Sequence, residues 1–209
     1  MTGLMEYFVK YHNKLLAALW EHVEIVLITL GISLVLAGLL TAVAMLKDAA
    51  AGILISVFSA VYSIPSLALF ALLIPLTGLG RKTAILVLTL YNQYLLLRNF
   101  IDGLNQVDPA VVEAAAGMGM SRMQILWKVR LPLSLKPLFA GVRLAVVSTI
   151  GIATIAAAIN AGGLGSILLD GLRTFHVNKI IWGSILSAGL AVVTNGILSL
   201  AEKVLFRTK

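Results

Sequence analysis

Five long stretches of the chain contain no aspartate, glutamate, lysine or arginine. These stretches are residues 25–46, 49–80, 83–97, 144–169 and 180–201. A helix needs about 20 mostly apolar residues to cross a bilayer. Four stretches are long enough, and the third becomes so if it continues to Ile101. Apolar and polar residues do not alternate along them, as they would in a β-barrel. Because backbone polar groups inside a bilayer must be paired within the segment, we predict an all-α, polytopic membrane protein.

The composition agrees with this prediction. The chain has 209 residues, of which 60% are hydrophobic, 16 are Lys or Arg and 9 are Asp or Glu. A soluble domain carries about 25% charged residues, so this chain has too few to cover a water-facing surface. That excludes an ordinary cytosolic enzyme and a disordered chain, and the lack of cysteine excludes a disulfide scaffold. The net charge of +7 is expected from basic residues that flank membrane spans, so we predict no nucleic-acid partner.

The charge-free stretches predict five membrane spans. They lie at about residues 23–46, within 49–76, and at about 83–101, 138–159 and 180–201. Pro65 is expected to kink or break the second span, because proline disrupts a helix interior. Residues 160–179 read as a glycine-rich loop with a short apolar piece. The predicted domains are an extracytoplasmic segment 1–22, a transmembrane domain 23–201 with a cytoplasmic loop 102–136, and a cytoplasmic basic tail 202–209.

The lysine and arginine residues predict the orientation, since cytoplasmic loops carry an excess of them. With five spans, ten fall on the side of the 102–136 loop and the C-terminus, and six fall on the other side. We therefore expect the N-terminus outside and the C-terminus in the cytoplasm of a cell-membrane protein. Arg81 and Lys82 fall outside, against this tendency. Glu24 and Arg143 are expected to extend from the ends of their spans to the membrane surfaces.

The sequence offers no catalytic or metal-binding motif. His12, His22 and His176 lack the spacing of metal ligands, and the chain has no cysteine. The run from Gly78 to Thr83 lacks the glycine offset of a phosphate-binding loop. We therefore predict a non-enzymatic chain with no catalytic residue, no metal site and no bound ATP.

The loop 102–136 predicts two short helices joined by a turn. Asp108 can cap the first helix, with Pro109 at its first position and Glu113 near the positive end of its dipole. Gly119 allows the turn, and Ser121 can cap a second helix over residues 122–129 that stops before Pro132. The apolar face of that helix would contain Met123, Leu126 and Trp127. Such a segment either docks on another protein or lies on the lipid surface.

The same loop resembles the conserved loop of ABC-importer permeases, which reads E-A-A, three residues, G, nine residues, I, one residue, L-P. This chain has Glu113-Ala114-Ala115, then Gly119, then Val129 in place of isoleucine, then Leu131-Pro132. The resemblance implies a core of five helices, in which residues including Met120 and Ser121 couple the permease to an ATPase. It also implies as partners two ATPase subunits that hold ATP and Mg²⁺, a second permease copy or paralogue, and an extracellular substrate-binding protein. No cofactor is then bound by this chain.

Further segments resemble the osmoprotectant permeases, which import glycine betaine, carnitine or choline. They are Ile64-Pro-Ser-Leu-Ala, Ile74-Pro-Leu-Thr-Gly-Leu-Gly80, Leu97-Arg-Asn99 and Ala161-Gly-Gly-Leu-Gly165. Permeases for methionine or phosphonate share the loop and a related Gly-Gly-Leu-Gly, so another small solute is the alternative. A stand-alone secondary transporter would need paired repeats and an ionisable residue at the midplane. A membrane enzyme would need clustered His, Asp or Glu, and the spans contain neither arrangement.

Four residues in or next to the spans are candidates for a translocation path. They are Asn92 and Gln93 in the third span, Pro65 in the second, and Asn160 after the fourth. The alternative for the amides is hydrogen bonding between helices, which contributes about 0.6–2 kcal/mol. Quaternary ammonium sites use aromatic cages. Five aromatic residues considered for such a site are scattered along the sequence and predict no cage: Tyr62, Phe70, Tyr91, Tyr94 and Trp182.

Overall fold

The protein is described by a computed structural model that covers residues 2–47 and 49–206. All regular elements in these ranges are helical, as the charge-free stretches predict. The α-helices are α1 (Thr2–Leu46), α2 (Ala50–Tyr62), α3 (Ser66–Thr77), α4 (Arg81–Asn105), α5 (Pro109–Gly117), α6 (Arg122–Ile125), α7 (Leu131–Leu133), α8 (Leu135–Ile155), α9 (Leu164–Arg173) and α10 (Val177–Phe206). A π-helical turn, Leu126–Arg130, joins α6 to α7, and a 3₁₀ turn, Ala156–Ile159, follows α8.

Four helices of the described chain are long and apolar enough to cross a membrane: α1, α4, α8 with its 3₁₀ turn, and α10. The pair α2 and α3 passes the same test together with a bend of 96° between its helices, and counting the pair as one broken span gives five. These five correspond to the predicted spans, and the all-α fold class is confirmed. The break lies at residues 63–65, where Pro65 adopts φ −56° and ψ 137° and precedes the first turn of α3. The ring of proline fixes φ near −65°, and the ψ of 137° takes Pro65 out of the helical conformation, so the predicted break at Pro65 is confirmed.

The helix α1 begins far before the predicted first span. Its 45 residues extend about 68 Å at 1.5 Å per residue, more than twice the hydrocarbon thickness of a bilayer. Its N-terminal part packs on α9 and α10: Trp182 Nε1 donates to the Leu4 carbonyl at 3.0 Å, and the Phe8 and Trp182 rings lie 4.7 Å apart. The boundary predicted between residues 22 and 23 therefore falls inside a continuous helix.

The described chain divides into two compact units. One comprises the chain through Gly31 together with Ile64–Thr89 and Val146–Ile197. Leu15, Ala18, Leu164 and Ile167 form a buried cluster in this unit. The other unit comprises Ile32–Ser63, Leu90–Ala145 and the chain from Leu198. Its cluster contains Ala44, Leu97 and Ile101, against which Leu54 and Phe58 of α2 pack.

Residues 160–179, expected to be a glycine-rich loop, contain the ten-residue helix α9. Asn160, Gly162 and Gly163 have φ of 62°, 85° and 74°, so the chain turns sharply before this helix. The Gly163 N–H donates to the Glu21 carboxylate at 3.0 Å, which fixes the turn against α1. The short apolar piece folds because its Leu164 and Ile167 reach the buried cluster.

Two charged residues that were expected to extend to the membrane surfaces have partners within the chain. Glu24 forms a 2.8 Å ion pair with Arg81. Arg143 Nη1 donates to Ser199 at 3.1 Å and to Glu202 at 3.3 Å. A charged side chain that is paired with an opposite charge at the end of a span requires less contact with water than an unpaired one. Pairing of Glu24 and Arg143 therefore takes over part of the stabilisation that was expected from extension to the membrane surface.

Candidate functional site: the coupling segment

The segment that contains the permease loop pattern, Asp108 to Ser134, is called the coupling segment below. It begins with a well-capped helix, α5. Asp108 accepts a hydrogen bond from the Ala110 N–H at 2.9 Å, and Pro109 occupies the first turn of α5, as predicted. Glu113 lies in the second turn of α5, and no acidic residue occupies the first turn. The expected benefit from the helix dipole is therefore small, since it falls off within the first turn. Ala115 is buried, whereas Glu113 and Ala114 are exposed.

The chain reverses after α5 at Gly119, which has φ 82°. The Met118 N–H donates to the Ala114 carbonyl at 3.0 Å, and the Met120 N–H donates to the Ala115 carbonyl at 3.2 Å. These bonds satisfy carbonyls that the helix end would leave unpaired. A Cβ atom at Gly119 would meet nothing within 4 Å, so glycine is required there by the backbone conformation alone. The predicted turn is confirmed.

The second helix begins at a complete capping box. The Ser121 hydroxyl accepts from the Gln124 N–H at 3.3 Å, and the Gln124 side chain accepts from the Ser121 N–H at 2.8 Å. The prediction that the second helix stops before Pro132 is wrong, because helical structure continues to Leu133. The π-helical turn Leu126–Arg130 explains this difference. Its wider spacing accommodates a proline that would break a regular α-helix at this point, and such turns are frequent at functional sites.

The apolar residues of the second helix divide between two surfaces. Ile125 and Leu126 are buried against the chain. Met123 and Trp127 are 45% and 57% exposed, and Met118 in the turn is 76% exposed. The prediction that Met123, Leu126 and Trp127 share one face is therefore wrong for Leu126. We call Met118, Met123 and Trp127 the exposed tip; the Trp127 Nε1 donates to the Met123 sulfur at 3.1 Å.

Two arginines of the segment bind the C-terminal ends of membrane helices. Arg122 donates to the carbonyl of Leu46, the last residue of α1, at 3.3 Å. Arg130 donates to the Leu104 carbonyl at 3.2 Å and to the Asn105 side chain at 2.9 Å, both at the end of α4. Positive charge is favourable at a helix C-terminus, where carbonyls lack helical partners. These contacts were not predicted from the sequence, where both arginines count only among the basic residues that indicate orientation.

Ser134 adds a third connection, because its buried hydroxyl donates to the Gly103 carbonyl of α4 at 2.9 Å. The segment between Arg122 and Ser134 is thus joined to α1 once and to α4 through three acceptors. An external force on this segment would reach both helices through directed hydrogen bonds. Leu131 and Pro132, the end of the loop pattern, lie between these anchors in α7.

The predicted path residues have different surroundings. Asn92 and Gln93 are buried in α4, and their side-chain amides donate to the hydroxyl and the carbonyl of Ser33 at 3.3 Å each. This is the hydrogen-bonding alternative given for them, although it does not test a role in translocation. Pro65 is exposed beside the break in the second span, and Asn160 is exposed in the left-handed conformation. Their place on a path stays a prediction.

Three tyrosines that are distant in the sequence come together. The ring of Tyr62 lies 5.5 Å from that of Tyr91 and 4.9 Å from that of Tyr94. The sequence, along which these tyrosines are scattered, predicted no aromatic cage, whereas the structure brings the three rings together. Phe70 is fully buried, and Trp182 packs on Phe8. A spacing of three residues on a central helix was the available signal, but the partner from α2 could not be identified from sequence.

Within residues 2–47 and 49–206, His, Asp and Glu side chains form no group of three that could hold a metal ion.

Lys179 and Asp170 form an ion pair at 2.8 Å. The hydrogen bond from Lys179 holds the pKa of the Asp170 carboxyl below its usual value. This pair lies between α9 and the start of α10.

Comparison with known proteins finds a match over most of the chain. Residues 34–207 match the model of a family described as the inner membrane component of binding-protein-dependent transport systems. The carnitine transport permease protein of Listeria monocytogenes is 34% identical over 205 residues, covering 97% of this chain and 93% of that protein. The choline transport system permease protein of Bacillus subtilis is 32% identical, covering 97% and 94%. The glycine betaine/carnitine/choline permease protein of Bacillus subtilis is 31% identical, with the same coverage.

Solved structures share the fold at lower identity. An amino acid ABC transporter, solved with histidines, has a chain that superimposes with a TM-score of 0.76 at 17% identity, covering 97% of both chains. An inward-facing methionine ABC transporter gives a TM-score of 0.73 at 22% identity, covering 90% of this chain and 92% of the other. At these identities the likenesses show the fold alone.

Proposed function

The chain belongs to the family of inner membrane components of binding-protein-dependent transport systems, and on that premise we propose that its cargo is a quaternary ammonium osmoprotectant. It is a multi-pass cell-membrane protein and the permease subunit of an ABC importer. The three relatives described above are permeases named for carnitine, choline and glycine betaine, and each aligns over nearly its whole length. These solutes share one feature, a permanently charged trimethylammonium group. The solved methionine and amino acid ABC transporters support only the fold.

The coupling segment supports an ATPase partner. Its two capped helices are held in a fixed turn at Gly119 and expose an apolar tip of two methionines and a tryptophan. Exposed methionine and tryptophan are typical of protein interfaces. We assign Glu113, Ala114, Gly119, Met120 and Ser121 to this contact, together with Ala115, Leu131 and Pro132 as the residues that shape it. Through the contact, closure of two ATPase subunits that bind ATP and Mg²⁺ would move the permease.

The orientation follows from the same proposal. The segment 102–136 faces the cytoplasm, which places the C-terminus inside and the N-terminus outside, where a substrate-binding protein delivers the solute. Arg81, which falls outside, is paired with Glu24 at 2.8 Å. A second permease copy or paralogue completes the path, and this chain performs no catalysis of its own.

Reconstitution tests this function. The permease is purified with its ATPase subunits and its binding protein, inserted into vesicles, and supplied with labelled glycine betaine, carnitine or choline. We expect ATP-dependent uptake of at least one of them, and stimulation of ATP hydrolysis by the loaded binding protein. Uptake of methionine or phosphonate, with none of the three quaternary ammonium solutes, would replace the substrate assignment. Uptake without any ATPase would indicate a secondary transporter instead.

A further inference from the structure

The three tyrosines lie where the broken span meets the middle of a continuous one. Tyr62 is the last residue of α2, directly before the interruption at residues 63–65. Tyr91 and Tyr94 lie one helical turn apart near the centre of the 25-residue α4. Tyr62 contacts both of them, edge-to-face with Tyr91 and tilted by 33° with Tyr94. Discontinuous helices near the centre of a membrane are common sites of substrate binding in transporters.

The two segments that carry these rings are uncharged. Residues 49–80 and 83–97, which contain all three tyrosines, include no acidic or basic residue. A trimethylammonium group has no N–H to donate and cannot lose its charge by releasing a proton. In such a place it can be stabilised by the electron-rich faces of aromatic rings, which substitute for part of its hydration. We propose that Tyr62, Tyr91 and Tyr94 form a transmembrane binding site for the quaternary ammonium group during translocation.

This inference rests on the proposed substrate class and adds a site within the permease itself. The rings differ in access: Tyr91 is 4% exposed, whereas Tyr62 is 36% exposed at the end of its helix. Tyr62 is therefore the ring that the solute reaches first, and Tyr91 is the buried support. Asn92 and Gln93, held by Ser33, fix the turn of α4 that carries the other two rings.

Fluorination of the Tyr62 ring tests the proposal. Each fluorine withdraws electron density from the ring face and changes its volume little, so a cation–π contact weakens stepwise. Position 62 is replaced by phenylalanine and by mono-, di- and trifluorophenylalanine in the complete transporter with its ATPase and binding protein. Uptake of labelled choline per ATP hydrolysed should be near that of the native protein for phenylalanine and should fall with each fluorine, to roughly a tenth for the trifluoro ring.

Phe58 provides the matched control, because it lies one turn earlier on α2 and packs in the apolar cluster of its unit. The same fluorinated series at position 58 should leave uptake unchanged. A flat series at position 62, in a transporter that still imports choline, would overturn this site and leave the proposed function intact. Equal decline at both positions would also overturn it, by showing that fluorine acts through packing. If the native protein imports no quaternary ammonium solute, the proposed function and this site both fail.

Discussion

Substitution of Gly119 gives the sharpest test of the turn in the coupling segment. Gly119 has φ 82° and open space around the position of a Cβ atom, so a new side chain meets strain only from its own backbone. The left-handed conformation costs an ordinary residue about 1–2 kcal/mol, and strained positions cost up to about 3 kcal/mol. We therefore expect Gly119→Val to weaken binding of the ATPase subunit by roughly fivefold to 150-fold. Gly119→Asn should weaken it less, since asparagine tolerates this conformation.

Gly117→Ala is the control within the same segment. Gly117 ends α5, has no positive φ, and also has nothing within 4 Å of a Cβ position. Alanine favours a helix over glycine by up to about 1 kcal/mol, so this variant should bind as well as the native protein or better. The assay is the dissociation constant between the permease in lipid nanodiscs and its ATPase. Native-like binding of Gly119→Val, or equal loss in Gly117→Ala, would refute the role of the turn.

Three further predictions follow from neighbouring contacts. Glu113 forms no ion pair among the described residues, so Glu113→Ala should insert normally into the membrane. The same variant should lower substrate-stimulated ATP hydrolysis and solute uptake. Native rates in both assays would contradict the role assigned to Glu113. Arg130→Leu should lower uptake per ATP while ATPase binding persists, because the coupling segment loses two bonds to α4, and an unchanged ratio would contradict this. A Cβ atom at Gly165 would clash with the Thr154 carbonyl oxygen, so Gly165→Ala should lower the thermal stability of the purified permease. Gly151→Ala is the control and should leave that stability unchanged, because a Cβ atom at Gly151 meets nothing within 4 Å.

The fold class could be predicted because lipid leaves few choices. Long charge-free stretches predict helices that cross a bilayer, and Pro65 predicts the break in the second span. The N-terminal extension of α1 could not be predicted in this way. This extension packs against residues distant in the sequence, such as Trp182, which donates to the Leu4 carbonyl.

The coupling segment was predictable where the determinants are local. Asp108 and Ser121 cap the helices that follow them, and Gly119 permits the turn between, so neighbouring residues contain the whole signal. The contacts of Arg122 and Arg130 require knowledge of where α1 and α4 end. The grouping of Tyr62 with residues of α4 likewise depends on tertiary packing, which no periodicity along the chain reveals.

The accessibility of the exposed tip tests the central claim most directly. The chain lacks cysteine, so Met118→Cys and Thr174→Cys each introduce a single thiol at an exposed position. In intact cells, a membrane-impermeant thiol reagent should modify Thr174→Cys and leave Met118→Cys unmodified. After permeabilisation Met118→Cys should react, and added ATPase subunits should protect it. Modification of Met118→Cys from outside intact cells would contradict a cytoplasmic coupling segment and the mechanism built on it.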